Sequence, residues 1–242
     1  MKIIHLLPNL ITLTSICVGL TAIRFGHQGE FHTAVELILL ACILDGLDGR
    51  LARLLKCPTS LGAELDSLAD FLNFGVAPGL IVFSWAFASG ESIGWIAVLG
   101  YTVCCVLRLA RFNVDNHAAN KQPGDRFVGV PSPAGAILVM LPMFISFLFS
   151  EIAIPPPAWI AFYMLGVGVL MISRVPTYAF KNVRIDRANA KFFLLGAVIL
   201  AAALLTYLWA TLVVLTLAYA ASVVWAFRMS LVPAPTPPVS EE

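Results

Sequence analysis

Long apolar runs broken by short polar turns dominate the chain. Eight stretches have the length and character of membrane-crossing helices, which need about 20 mostly apolar residues. They cover residues 6–24, 32–54, 64–88, 92–112, 133–150, 158–173, 192–208 and 211–227. The pattern predicts an all-α, polytopic helix bundle. The polar positions between the runs are unevenly distributed. If all eight runs cross, the N-terminus and the even-numbered connections carry Lys2, Arg50, Arg53, Lys56, Arg108, Arg111, Lys121, Arg126, Arg174, Lys181, Arg184, Arg187, Lys191 and Arg228. The opposite side carries only Arg24. Basic residues collect on the cytosolic side of membrane proteins, so both termini are expected there.

Composition agrees. Apolar residues make up 60% of the chain and charged residues 12%, far from the balance of a soluble domain. Mean hydropathy is +0.90. A net charge of +1 implies no nucleic-acid partner. The first run follows Lys2 without a convincing small-residue cleavage site, so it reads as a retained span. Cys17, Cys42, Cys57, Cys104 and Cys105 form no CxxC pair and read as small packing residues. His5, His27, His32 and His117 share no metal-ligand spacing, and no role is assigned to them. The proline-rich end 231–242 reads as a disordered tail.

The chemistry is concentrated at the cytosolic end of the second and third runs. Four of the seven aspartates lie within 45–70. Asp45 and Asp48 are three apart and share a helix face; Asp66 and Asp70 are four apart and do the same. An intervening turn lets the two helices run antiparallel, so that all four carboxylates converge. An ionised carboxylate costs about 2.5–3.5 kcal/mol at the bilayer centre and less near the interface. Their mutual repulsion requires a counter-charge. Arg50 and Arg53 supply at most two. Divalent cations are the economical answer, and oxygen ligands suit Mg²⁺ or Mn²⁺, with Ca²⁺ as a substitute. Two carboxylate pairs suggest two ions, an arrangement suited to displacement at phosphorus. Gly49, Ala52 and Gly62 leave space beside the aspartates, and Arg53 suits a phosphate. Helix capping explains one aspartate at a time, but not eight fixed residues at fixed spacing.

The pattern DxxDGxxAR, eight residues, then GxxxDxxxD runs from Asp45 to Asp70 without a departure. It resembles the signature of the CDP-alcohol phosphotransferase family. The resemblance implies a six-helix membrane core, here within residues 1–190, with an added C-terminal hairpin over 191–230. It implies transfer of a phosphatidyl-type group from a CDP-linked donor to an alcohol, with release of CMP. Asp45, Asp48, Asp66 and Asp70 then correspond to metal ligands, and Asp70 also to the general base. Gly49, Ala52, Arg53 and Gly62 correspond to the CDP pocket. Homodimers are common in the family, so one is expected here.

The acceptor is read from other segments. LPNLITLTSICVG, RLARFNV, FVGVPSPAGA and SRVPTYAFKN resemble the bacterial membrane-integral phosphatidylserine synthases of that family. This implies CDP-diacylglycerol and L-serine as substrates in the bacterial cytoplasmic membrane, with a cytosolic active site. Serine needs a cation for its carboxylate and acceptors for its ammonium. Arg108 and Arg111, three apart near a cytosolic helix end, are candidates, with Asn113, Ser132 and Arg174 beside them. Snorkelling anchors are the plainer explanation for both arginines. Glycerol phosphate, inositol phosphate or choline are rival acceptors. A divalent-cation transporter and a non-catalytic scaffold are rivals of other classes. A transport pathway needs polar residues at the bilayer midplane, and the fifth, seventh and eighth runs have almost none.

Overall fold

The computed structural model describes residues 6–55, 59–87, 91–117, 129–149, 154–173 and 190–230. These form helices α1 (Leu7–His27), α2 (Phe31–Leu54), α3 (Ser60–Asp70), a π-helical turn (Phe71–Val76), α4 (Ala77–Ala86), α5 (Ser92–His117), α6 (Ser132–Val139), α7 (Leu141–Leu148), α8 (Pro157–Ile172), α9 (Ala190–Thr206) and α10 (Leu208–Ser230). No strand occurs among the described residues. The 231–242 tail, Cys57 and Arg174 lie outside them.

Among the described residues, four segments are long and apolar enough to cross a bilayer: Leu7–His27, Ser60–Ala86, Ser92–Val114 and Leu208–Met229. Pro157–Ile172 and Leu194–Thr206 are shorter apolar helices. The expected span 32–54 is the 24-residue α2, which carries Glu36, Asp45, Asp48, Arg50 and Arg53. The expected span 133–150 is broken between α6 and α7. Large apolar side chains such as Leu10, Ile43, Leu68, Trp159 and Leu205 face outward. Such a surface suits lipid rather than water. The chain is an integral membrane protein.

The α1–α2 hairpin builds one wall of the bundle. Small residues Thr12, Ser15, Gly19, Ala22 and Gly26 recur every three or four positions on the buried face of α1. Small side chains let membrane helices approach closely. Ala34, Val35, Ile38 and Ala41 of α2 are also fully buried, and α1 packs along both α2 and α4. A Cβ on Gly19 would collide with the Asn73 side chain, and one on Gly26 would lie 3.0 Å from Ile81. The turn between the helices is a Schellman motif. Glu30 N–H donates to Phe25 O at 3.0 Å and Gly29 N–H to Gly26 O at 3.2 Å. Gly29 adopts φ +84°, the left-handed conformation that the motif needs and that glycine tolerates.

Two prolines shape the interior in the same way. Pro78 has no N–H for the carbonyl of Phe74, four residues back, and the chain there winds as the π turn. The buried Tyr101 of α5 donates its phenol to Phe74 O at 2.7 Å. Pro142 likewise has no N–H for Leu138, at the break between α6 and α7. Tyr163 of α8 donates to Leu138 O at 2.6 Å. Each tyrosine replaces a lost backbone donor in a region that water does not reach.

Tyr101→Phe and Tyr163→Phe should each destabilise the protein by about 1–3 kcal/mol, the cost of an unsatisfied buried carbonyl. Chemical unfolding in detergent micelles measures this. In a Pro142→Ala background, where the N–H returns, Tyr163→Phe should cost measurably less; an equal cost in both backgrounds would contradict the assignment.

Candidate metal centre

The site forms where the last turns of α2 meet α3. Thr59 caps α3, its Oγ1 accepting from Gly62 N at 3.0 Å. This cap fixes where α3 starts and hence which way its aspartates face. One carboxylate oxygen each from Asp45, Asp48 and Asp66 lies within 4.8 Å of the others. An ion holding oxygens at about 2.0–2.6 Å spans ligand pairs up to about 5 Å apart, so the three fit one cation. Asp70 adjoins Asp45 and Asp66, within electrostatic reach of both, and Arg108 lies within reach of its carboxylate too.

The polar atoms make a second test of fit. Asp45 Oδ1, Asp48 Oδ1 and Asp70 Oδ1 are buried and accept no hydrogen bond from any described residue. Buried carboxylate oxygens need partners. A hard divalent cation supplies one for each, so the donor set fits such an ion.

Thr12 of α1 is the site residue that sequence reasoning missed. Its Oγ1 donates to Asp48 Oδ2 at 2.6 Å, and both residues are 3% exposed. Asp48 is thereby fixed by one oxygen and presents the other to the cluster. The regular spacing of small residues on α1 marks Thr12 as buried, but says nothing about which carboxylate it meets.

The four residues expected beside the aspartates differ in character. Gly49 and Ala52 are half-buried and Arg53 is exposed. A Cβ on Gly49 would meet nothing closer than the Arg53 guanidinium at 4.0 Å, so packing alone does not require glycine there. Arg53 Nε donates to Gly49 O at 2.9 Å, which folds the guanidinium back along α2. Gly62 is packed more tightly. A Cβ there would lie 2.9 Å from Asn9 Oδ1 and 3.0 Å from Thr59 Oγ1.

The residues expected around serine separate into three places. Arg108 Nη1 donates a short hydrogen bond to Ser132 Oγ, which is fully buried at the start of α6. Cys105 Sγ lies 3.8 Å from the same hydroxyl. Arg108 and Ser132 therefore stand together on the Asp70 side of the cluster. Arg111 Nη1 donates to Ile172 O at 3.4 Å, at the end of α8, where a cation also meets the negative end of the helix dipole. Asn113 Nδ2 donates to Ser67 Oγ at 3.0 Å, tying α5 to α3.

Similarity to known proteins covers most of the chain. The sequence profile of the CDP-alcohol phosphatidyltransferase family matches residues 5–227. The chain is 40% identical over 217 residues to a Mycobacterium leprae protein named CDP-diacylglycerol–serine O-phosphatidyltransferase, covering 88% of this chain and 72% of that one. Proteins of the same name from Helicobacter pylori and Bacillus subtilis are also similar. The first is 34% identical over 197 residues, 81% of each chain. The second is 36% identical over 177 residues, 73% of this chain and 92% of its own.

Thr12→Val removes the hydrogen bond to Asp48 while keeping the volume. Partners behind metal ligands typically affect metal affinity by about 10–100-fold. Calorimetric titration of Mn²⁺ into the purified variant should show weakening of that order; unchanged affinity would reduce the Thr12 contact to packing.

Proposed function

The chain belongs to the CDP-alcohol phosphatidyltransferase family, and from that premise we propose that it transfers the phosphatidyl group of CDP-diacylglycerol to the hydroxyl of L-serine, giving phosphatidylserine and CMP. The observation that carries the reaction type is the convergence of Asp45, Asp48 and Asp66 with Asp70 alongside. The choice of acceptor is supported by the shared name of relatives from three bacterial genera.

Asp45, Asp48, Asp66 and Asp70 would hold two divalent ions, Mg²⁺ or Mn²⁺. Such ions neutralise the pyrophosphate and stabilise charge on the attacking and leaving oxygens. Asp70, on the side nearest Arg108, takes the proton of the serine hydroxyl. The serine oxygen forms its bond to the phosphorus that carries the diacylglycerol. The bond from that phosphorus to the bridging oxygen breaks, and CMP leaves with the electron pair. Among the fixed residues of the motif none is a nucleophile apart from the aspartates, which favours direct transfer over a covalent phosphatidyl-enzyme. Gly49 and Ala52 leave room for the nucleotide, with Gly62 opposite. Arg53, exposed and held by its own helix, can turn to the phosphates. Arg108 and Ser132 face the acceptor.

In the membrane, we place eight crossings with both termini and the site in the cytosol, consistent with the distribution of basic residues. Residues 1–190 form the catalytic core and 191–230 a C-terminal hairpin. The donor's acyl chains remain among the lipids. A homodimer is the proposed assembly.

The purified protein in detergent, given CDP-diacylglycerol and Mn²⁺ or Mg²⁺, should release CMP only when L-serine is present, and EDTA should stop it. Release with another alcohol instead would keep the reaction and overturn the acceptor. Asp70→Asn should lower turnover by at least 100-fold while CDP-diacylglycerol still binds; near-normal turnover would remove Asp70 from the base role.

A further inference from the structure

Both halves of the metal centre are pinned to one face of α1. Thr12, Ser15 and Gly19 are spaced three and four positions apart and are all buried on that face. Thr12 Oγ1 donates to Asp48 Oδ2 at 2.6 Å, which fixes the α2 half. Almost one turn further on, Ser15 Oγ accepts from Asn73 Nδ2 at 3.1 Å. Asn73 lies in the π turn that continues the arm carrying Asp66 and Asp70. Three residues separate it from Asp70, about one turn. Ser15 Oγ gives its own proton to Thr12 O at 2.9 Å, which leaves its oxygen free to accept from the amide. Ser15 and Asn73 are both fully buried.

The other end of that amide is unpaired. Asn73 Oδ1 has no hydrogen-bond partner among the described residues. It lies against α1 at Gly19, where a Cβ would collide with this oxygen and stand 3.1 Å from Asn73 Cγ. A buried oxygen without a donor is costly, and an apolar side chain would fill the volume without that cost. What the amide adds is direction: one polar bond, at one place, between two helices in a region that water does not reach. Thr12 and Ser15 are about 4.5 Å apart along the axis of α1. The two bonds together set how far the arm of Asp66 and Asp70 stands from Asp48. They do so through a helix that has no carboxylate of its own. Ligand spacing matters most for a small ion such as Mg²⁺, which demands near-octahedral oxygens at about 2.0–2.1 Å.

Resting on the divalent-ion reading above, we propose that Asn73 is a positioning residue of the metal centre. Through Ser15 and α1 it holds Asp66 and Asp70 at the spacing from Asp48 that a divalent ion requires. Gly19 belongs to the same device, because it gives the amide room to reach Ser15. Metal affinity then depends on a side chain that touches neither ion nor substrate.

The test is calorimetric titration of Mn²⁺ into the full chain, with thermal unfolding in EDTA as the measure of packing. Ser15→Ala and Asn73→Ala should each weaken Mn²⁺ binding about tenfold, the lower end of the range for partners behind metal ligands. The double variant should bind no more weakly than either alone, since each change removes the same bond. Gly19→Ala should weaken binding by crowding the amide. Combined with Asn73→Ala, its methyl refills the vacated space, so thermal stability should return towards that of the parent while Mn²⁺ affinity stays low. Recovery of both together would make Asn73 a packing residue and overturn the proposal. So would unchanged Mn²⁺ affinity in Ser15→Ala, the smallest of these changes and the one that decides if Asn73→Ala does not fold. If the folded parent itself binds no Mn²⁺, the metal reading falls and this proposal falls with it; unchanged affinity in the variants alone leaves that reading intact.

Discussion

Mutual repulsion among carboxylates is the constraint around which this protein is built. Three carboxylate oxygens lie within 4.8 Å of one another, and Asp70 stands beside them. At that separation two unit charges repel by about 3 kcal/mol at an effective dielectric of about 20. The exposure of Asp66 reduces its share, because solvent screens it. Asp48 enjoys no such relief, being 3% exposed. Arg108 offsets part of the charge on Asp70 and is itself committed to Ser132. A fold that assembles such a cluster and leaves three of its buried oxygens without donors among the described residues is organised for cations that arrive from outside the chain.

The rest of the bundle holds those carboxylates in place despite the repulsion. Small residues let α1 lie close against α2 and α4, which brings Thr12 to Asp48. The helical arm that carries Asp66 and Asp70 continues directly into the π turn and Pro78. Tyr101 secures that turn from α5, and Asn73 Nδ2 within it donates to Ser15 Oγ of α1 at 3.1 Å. The arm is therefore tied on both sides within one or two turns of Asp70. π turns often sit beside functional sites; this one has a local cause in proline and a partner across the helix interface.

Much of the site was legible because it is local. Asp45, Asp48, Asp66 and Asp70 lie on two helices consecutive in the sequence, so sequence spacing brings them to one place. Arg108 and Ser132 were each singled out as contacts for the acceptor, but their hydrogen bond to one another was not expected. What the sequence hid depends on contacts between helices far apart in the chain. Thr12 meets Asp48 across 36 residues. Arg111 and Asn113, alike in sequence context, have separate partners in Ile172 and Ser67. For the fold, apolar length located the helices but not their continuity. Pro142 divides the run 133–150, and the charged residues of α2 separate it from the plainly apolar spans.

On the proposed reading, the acyl chains stay in the bilayer while the nucleotide and the acceptor approach the aspartates from water. The most direct measurement is equilibrium Mn²⁺ binding to the purified full-length protein, followed by electron paramagnetic resonance. Saturable binding of two ions per chain is expected, lost when Asp45 and Asp48 are both replaced by Asn. An absence of saturable binding to the folded protein, or undiminished binding by the double variant, would contradict it.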